Sequence, residues 1–364
     1  MDDLHHWLTL AAVPGMDVVR FESLCSAIPF EEIFSSSTAT LVAAGLTESQ
    51  ANRINRPAKS MLDNTIAWLS SCANCYAITF QDPHYPQLLR EIKHPPLMLF
   101  IKGDIKLLAK PQLAMVGSRQ PTVTGREIAF DFAADLATKG LVVTSGLARG
   151  IDAAAHLGAL SVPAGKTIAV CGHGLNHRYP WQHEDLFQKI AEQGALVSEY
   201  LPQVEPQARL FPIRNRIVVG LSLGTLVVEA AEKSGSLISA NYAAEYNREV
   251  FAVPGSIRSP QSAGCHQLIQ QGAKLTRNTA DILDELAIDL PNFGSQRVAQ
   301  KNNCQQDLFV SSLLSNVGDE ATAIDLIAAR AEMPVADVTI ALLELELAGA
   351  VAAVPGGYIR VRRA

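Results

Sequence analysis

Seven consecutive residues, Phe211-Pro212-Ile213-Arg214-Asn215-Arg216-Ile217, place two guanidinium groups, an amide and an aromatic ring around one Phe-Pro step. Guanidinium forks suit phosphate oxygens. A ring such as Phe211 can stack on a flat heterocycle for about 1–3 kcal/mol. The combination points to a ligand with both phosphates and planar rings, a nucleic acid or a nucleotide. Positions two apart on a helix face different ways, so Arg214 and Arg216 are expected to divide their roles. One meets a phosphate and the other pairs with an acid, for which Glu229 is the candidate at the end of an apolar run.

Other segments supply matching chemistry. Gly117-Ser118-Arg119 offers a bare backbone, a hydroxyl and a fork ahead of a helix, whose amino end attracts anions. Ser145-Gly146-Leu147-Ala148-Arg149-Gly150-Ile151-Asp152 reads as a second phosphate cradle. Its glycine spacing departs from the dinucleotide fingerprint, and Asp152 reads as a helix cap. Gly172 and Gly174 open a third turn containing His173, His177 and Tyr179. Ser236, after Ser234-Gly235, is placed to cap a helix and to meet a phosphate. The histidines at 173, 177 and 183 fit no recognised zinc spacing, so no metal, no cofactor and no catalytic nucleophile–base pair is expected.

Positioning these turns requires alternating elements. Short β-type runs recur at Leu113–Val116, Leu141–Thr144, Thr167–Cys171, Leu196–Ser198, Thr225–Val228 and Val250–Val253, separated by helical stretches such as Gly125–Thr138 and Asp152–Leu160. That alternation predicts an α/β doubly wound sheet over residues 113–287, with ligands gathering beyond the carboxyl ends of its strands. Residues 1–75 read as a helical domain, of the SAM or helix-hairpin-helix type, broken at Val13-Pro14-Gly15. A proline-rich connector is expected over 76–112 and a polar linker over 288–310. Three helices and a hairpin around Pro355-Gly356-Gly357 spell a winged helix over 311–364.

The 364 residues are 48% hydrophobic and 18% charged, which indicates a globular chain rather than a disordered one. A formal net charge of −6 confines any polyanion site to a local basic patch. The acidic start (Met1-Asp2-Asp3) does not read as a secretory signal, and no apolar run reaches the roughly 18 residues of a membrane span. The six scattered cysteines suit a reducing, cytoplasmic setting. Cys72 and Cys75, a lone C-x-x-C, are expected to be ordinary half-buried thiols.

Taken in order, these segments resemble the DNA processing protein A family (DprA, also called Smf). The resemblance runs from Leu113 to Leu286 through Gly-Ser-Arg, Ser-Gly-x-Ala-x-Gly-Ile-Asp, Gly-x-Gly…Tyr-Pro, Phe-Pro-x-Arg-Asn-Arg-Ile, Ser-Gly-Ser-Leu and Val-Pro-Gly. Asn176 and His183 depart from the aspartate and asparagine of many members. The resemblance implies an extended Rossmann domain that binds and protects single-stranded DNA without cutting it. It also implies help in loading the recombinase RecA, as in natural transformation, and a homodimer formed through the Rossmann domain. The candidate contacts are Gly117, Ser118, Arg119, Ser145, Gly146, Arg149, Gly150, Gly172, Gly174, Phe211, Arg214, Asn215, Arg216 and Ser236.

Two other functions use the same turns. Gly224-Thr225 followed by Glu229 is similar to the Gly-Thr-x-x-Glu element of cytokinin-activating phosphoribohydrolases, with Ser222-Leu223 in place of their Pro-Gly-Gly loop. A receptor for a small signalling nucleotide would fit the same pocket.

Overall fold

The computed structural model describes residues 2–286, 313–314, 316–318, 320–331 and 333–361. Two compact units divide the chain, one of residues 1–121 and 128–293, the other of 122–127 and 294–364.

The larger unit begins with six helices: α1 (Asp2–Ala11), α2 (Val18–Ala27), α3 (Phe30–Ile33), α4 (Thr38–Ala43), α5 (Glu48–Asn55) and α6 (Lys59–Ser70). Trp7, Phe21 and Phe30 pack ring against ring at their centre. The Pro14-Gly15 turn is tied down by Gln50 Nε2, donating to the Pro14 carbonyl at 2.9 Å, and by Arg20 Nη1, donating to the Gly15 carbonyl at 3.0 Å. Asp17 caps α2 by accepting from the Arg20 amide at 2.9 Å, and it binds the His94 ring at 2.8 Å. A main-chain bridge joins Asp17 to Pro96.

The sheet elements follow as β1 (Cys75–Thr79), α7 (Gln87–Arg90), β2 (Met98–Gly103), β3 (Gln112–Val116), α8 (Val123–Thr138), β4 (Val142–Ser145), α9 (Ile151–Leu160) and β5 (Thr167–Val170). They continue with α10 (Glu184–Gln193), β6 (Ala195–Ser198), α11 (Leu210–Gly220), β7 (Gly224–Val227), α12 (Ser236–Glu245), β8 (Glu249–Ala252), α13 (Ala263–Gln270), β9 (Lys274–Leu275) and α14 (Thr279–Leu286). The strand order is β1-β2-β6-β5-β4-β3-β7-β8-β9. From β6 to β9 every neighbouring pair is parallel. Leu113 and Met115 join one apolar cluster while Ala114 and Val116 join the other. Alternate residues thus bury both faces, which explains the continuous apolar strand runs.

Two sequence expectations change here. Residues 76–112 are part of the sheet rather than a connector: β2 pairs antiparallel with both β1 and β6. The prolines that suggested a linker lie before the fully buried Met98-Leu99-Phe100-Ile101 run, so they bound the strand without interrupting it. Cys72 and Cys75 form a disulfide rather than separate thiols. The turn between α6 and β1 holds their Cα atoms 5.6 Å apart, within the usual disulfide span. Residues 288–310 lie outside the described residues, as do positions 311, 312 and 315 at the start of the expected winged helix.

The described part of the smaller unit contains α15 (Ile324–Ala331), α16 (Val335–Leu347) and the antiparallel hairpin β10 (Val351–Val354) and β11 (Gly357–Arg360). Ile327, Val338, Leu342, Leu345 and Val351 share its core. Among the described residues no helix is long and apolar enough to cross a membrane.

Candidate functional site

The chain winds outward from β3 in one direction through β4, β5 and β6, then returns through α11 to place β7 on the other side of β3. The turns after β3 and β7 therefore diverge, which makes a crevice at the switch point. Their register pairs Val116 with Val227, so both strands end together. A main-chain bond from the Ser118 amide to the Glu229 carbonyl (2.7 Å) spans the gap just beyond.

A cleft of about 480 Å³ opens here, lined by Gly117, Ser118, Arg119, Phe211, Arg214, Asn215 and Ser236, together with Lys233, Ser239 and Gln261. A second cavity adjoins it, lined by Arg119, Gly146, Arg149, Gly172, Phe211 and Arg214, with Tyr179 and Pro180. Most of the turns picked out in the sequence thus meet at one sheet edge. Ser145, Gly150, Gly174 and Arg216 line neither cavity. Ser145 Oγ instead donates to the Met115 carbonyl at 2.6 Å.

The two arginines of α11 do divide their roles, but neither is a free cation. Arg214 is buried, and its Nη1 donates to the main-chain carbonyls of Gly146 and Val170, at the ends of β4 and β5. Arg216 pairs with Glu199, both side chains largely covered. Asp152 lies in the first turn of α9, whose cap residue is Gly150, so it is not the cap. Its carboxylate turns back to accept from the amides of Gly146 (3.1 Å) and Ala148 (3.2 Å). Burial pushes its carboxyl up, while the Arg214 charge and those two amides pull it down. Arg214 and Asp152 together fix the β4 turn, which forms the cleft floor.

This also revises the role of the glycines. Gly146 has no side chain because the Arg214 guanidinium occupies that space, and a Cβ on Gly172 would lie 2.8 Å from the Phe211 ring. These turns are bare to admit protein groups, and those groups then shape the cavity. Gly150, at φ +83°, serves the backbone turn into α9. Ser236 likewise is not a cap: Gly235 holds that place, and the Ser236 hydroxyl shares a hydrogen bond of 2.7 Å with Ser234.

The free charge sits on the rim. Arg119, Arg149 and Lys233 are exposed, and none forms an ion pair among the described residues. Lys233 went unread in the sequence, although Glu232-Lys233-Ser234-Gly235-Ser236 marks the entry to α12. Ser239, one turn further on, is fully buried and its hydroxyl has no hydrogen-bond partner. Phe211 is half-buried and stacks on Tyr179, with centroids 5.2 Å apart.

The three histidines of the third turn each contact a main-chain carbonyl: His173 that of Gly174, His177 that of Gln203 and His183 that of Leu147. No group of three potential ligands is gathered for a metal among the described residues. Cys171 lines the second cavity, and burial pushes its thiol up to about 12, which favours the protonated form. Gly224 and Thr225 open the buried strand β7 instead of forming a phosphate loop, so the resemblance to a hydrolase element does not extend to its geometry.

The model for the family described as DNA recombination-mediator protein A matches residues 76–287. The chain belongs to the DprA family. A second model, the DprA winged helix domain, matches residues 311–357. Over its whole length this DprA-family chain is 43% identical to protein Smf of Escherichia coli K12, covering 97% of that protein. Among solved structures it is similar to DprA of Streptococcus pneumoniae at 35% identity and a TM-score of 0.67, covering 77% of this chain and 95% of that one. It is also similar to DprA of Helicobacter pylori, solved for its single-stranded DNA binding mode, at 31% identity and a TM-score of 0.53. That match covers 59% of this chain and 97% of the other. The start of the DprA family match at residue 76 agrees with the place of β1 in the sheet.

Proposed function

We propose that this chain binds single-stranded DNA along the crevice between β3 and β7, protects it without cleaving it, and passes it to the recombinase RecA, as a cytoplasmic homodimer formed through the Rossmann domain. The observation that carries the reading is the placement of three exposed rim cations, Arg119, Arg149 and Lys233, around half-buried Phe211 at the sheet's switch point. Such a rim neutralises phosphates while the ring accepts an unpaired base, and a base inside a duplex cannot reach it. The amino end of α12 reaches the cleft at Gly235 and Ser236 and adds the positive end of its dipole.

The test is anisotropy of labelled oligothymidylate at several salt concentrations, with duplex of equal length as competitor. Affinity should fall steeply with salt and the single strand should win clearly. Salt-independent binding, or equal competition by duplex, would overturn the reading. Strand delivery is checked separately, by whether the protein restores the ATPase activity of RecA on DNA coated with a single-strand-binding protein.

A further inference from the structure

Beyond Phe211 the aromatic surface continues out of the cleft. Tyr179 stacks on Phe211 with planes 26° apart and remains 45% exposed, and Trp181, two residues on, is 75% exposed. An indole left so open gives up a large burial gain. Trp181 begins a short 3-10 turn, Trp181–His183, and the His183 ring lies 3.3 Å from the Leu147 carbonyl. That contact ties the turn to the loop bearing Arg149. Of the acids beside it, Glu184 is paired with Arg178, and Asp185 follows on α10.

We propose that Tyr179 and Trp181 form a second stacking ledge, on which one or two unpaired bases rest as the strand leaves the crevice, with Arg119 and Arg149 holding the phosphates between. The ledge rests on the single-strand reading above and assigns Trp181 as its outermost platform. A strand crossing it would occupy both cavities in sequence, because Phe211, Arg119 and Arg214 line both.

The chain reports on this site by itself. Of its three tryptophans, Trp7 and Trp68 are each 6% exposed, which leaves Trp181 as the one open to contact quenching. Titrating the full-length protein with unlabelled oligothymidylate should quench intrinsic fluorescence, with the same midpoint as anisotropy of the labelled strand. Trp181→Phe should abolish the quench yet bind within about twofold, since a ring remains. Trp181→Ala should bind roughly five- to thirtyfold more weakly. The ledge is overturned if Trp181→Ala binds as the parent does, or if the quench survives in Trp181→Phe. It is also overturned if the emission shifts with protein concentration in the absence of DNA, because the indole would then lie between copies of the chain. Each of these leaves anisotropy binding intact, whereas failure of the single-strand reading would remove that binding in the parent protein too. Because Trp181 is at the surface, both variants should keep the parental thermal melt.

Discussion

Two parts of this molecule have architectures suited to nucleic acid, and their surfaces differ sharply. The crevice of the sheet presents Arg119, Arg149 and Lys233, exposed and without ion pairs among the described residues. In a winged helix the second helix of the helix-turn-helix is the usual reader of a DNA groove. Here that helix, α16, carries no basic residue; it carries Asp337, Glu344 and Glu346 and leaves Ile340, Leu343 and Leu347 between 55% and 82% exposed. A polyanion would be repelled by the acids and gain nothing from the leucines. Fold alone therefore does not choose between the two surfaces; the exposed cations are what favour the crevice in the function proposed above.

The contrast can be broken at the cleft floor first. Arg214→Met removes the charge facing buried Asp152 and should cost on the order of 3–5 kcal/mol of stability, read as a lowered denaturant midpoint. A loss below about 1 kcal/mol would show that Arg214 is not the structural tie described.

Acid should then separate the two units. All nine histidines precede residue 267. His156 is fully buried, hydrogen-bonded to the Thr167 hydroxyl at 2.6 Å, and burial lowers it to about 3 from an ordinary value near 6.5. The folded state thus resists a proton that the unfolded chain accepts. This contribution is fully present above pH 6.5 and is lost as pH falls towards 3, at about 1.4 kcal/mol per unit. His173, also lowered by burial, acts in the same sense, and the raised Asp152 opposes it. Stability of the larger unit, followed by Trp7 and Trp68 emission between pH 7 and 5, should decline, and His156→Gln should flatten the slope. An unchanged slope would count against this account.

On the rim, replacing Arg119 and Arg149 together by alanine should weaken single-strand binding roughly 10- to 100-fold and reduce the salt slope by about 0.7 for each phosphate no longer neutralised. The thermal melt should stay where it is. A destabilised double variant would mean that these arginines are structural after all. The smallest effect should come from α16: Glu344→Gln with Glu346→Gln should leave single-strand affinity within about twofold. A large gain would place the strand on the winged helix and undo the contrast.

Much of the scaffold was readable because buried parallel strands leave continuous apolar runs, as in Leu113–Val116 and Thr167–Val170. The strands β1 and β2 were not read, since prolines before Met98 mimic a linker. At the site, residue types pointed to the right segments but not to their duties. Arg214 and Arg119 look alike in a sequence, and only the packing of α11 against the ends of β4 and β5 turns one into a buried tie. The glycines were misread for the same reason: what fills the space beside Gly146 or Gly172 comes from a residue at least 39 positions away. Lys233 and Trp181 carried no local signal beyond being charged or aromatic, and their exposure depends on turns whose course is set by the whole sheet.

The main-chain bond between Ser118 and Glu229 has a mechanical consequence. Its amide and carbonyl belong to opposite walls of the crevice, so the walls cannot spread without breaking it. The Ile151 amide, donating to the Ser118 carbonyl at 3.1 Å, pins the same residue to a third element. The slot therefore has its width before any guest arrives, and an entering chain bears the entropy loss of ordering itself but not that of ordering its host.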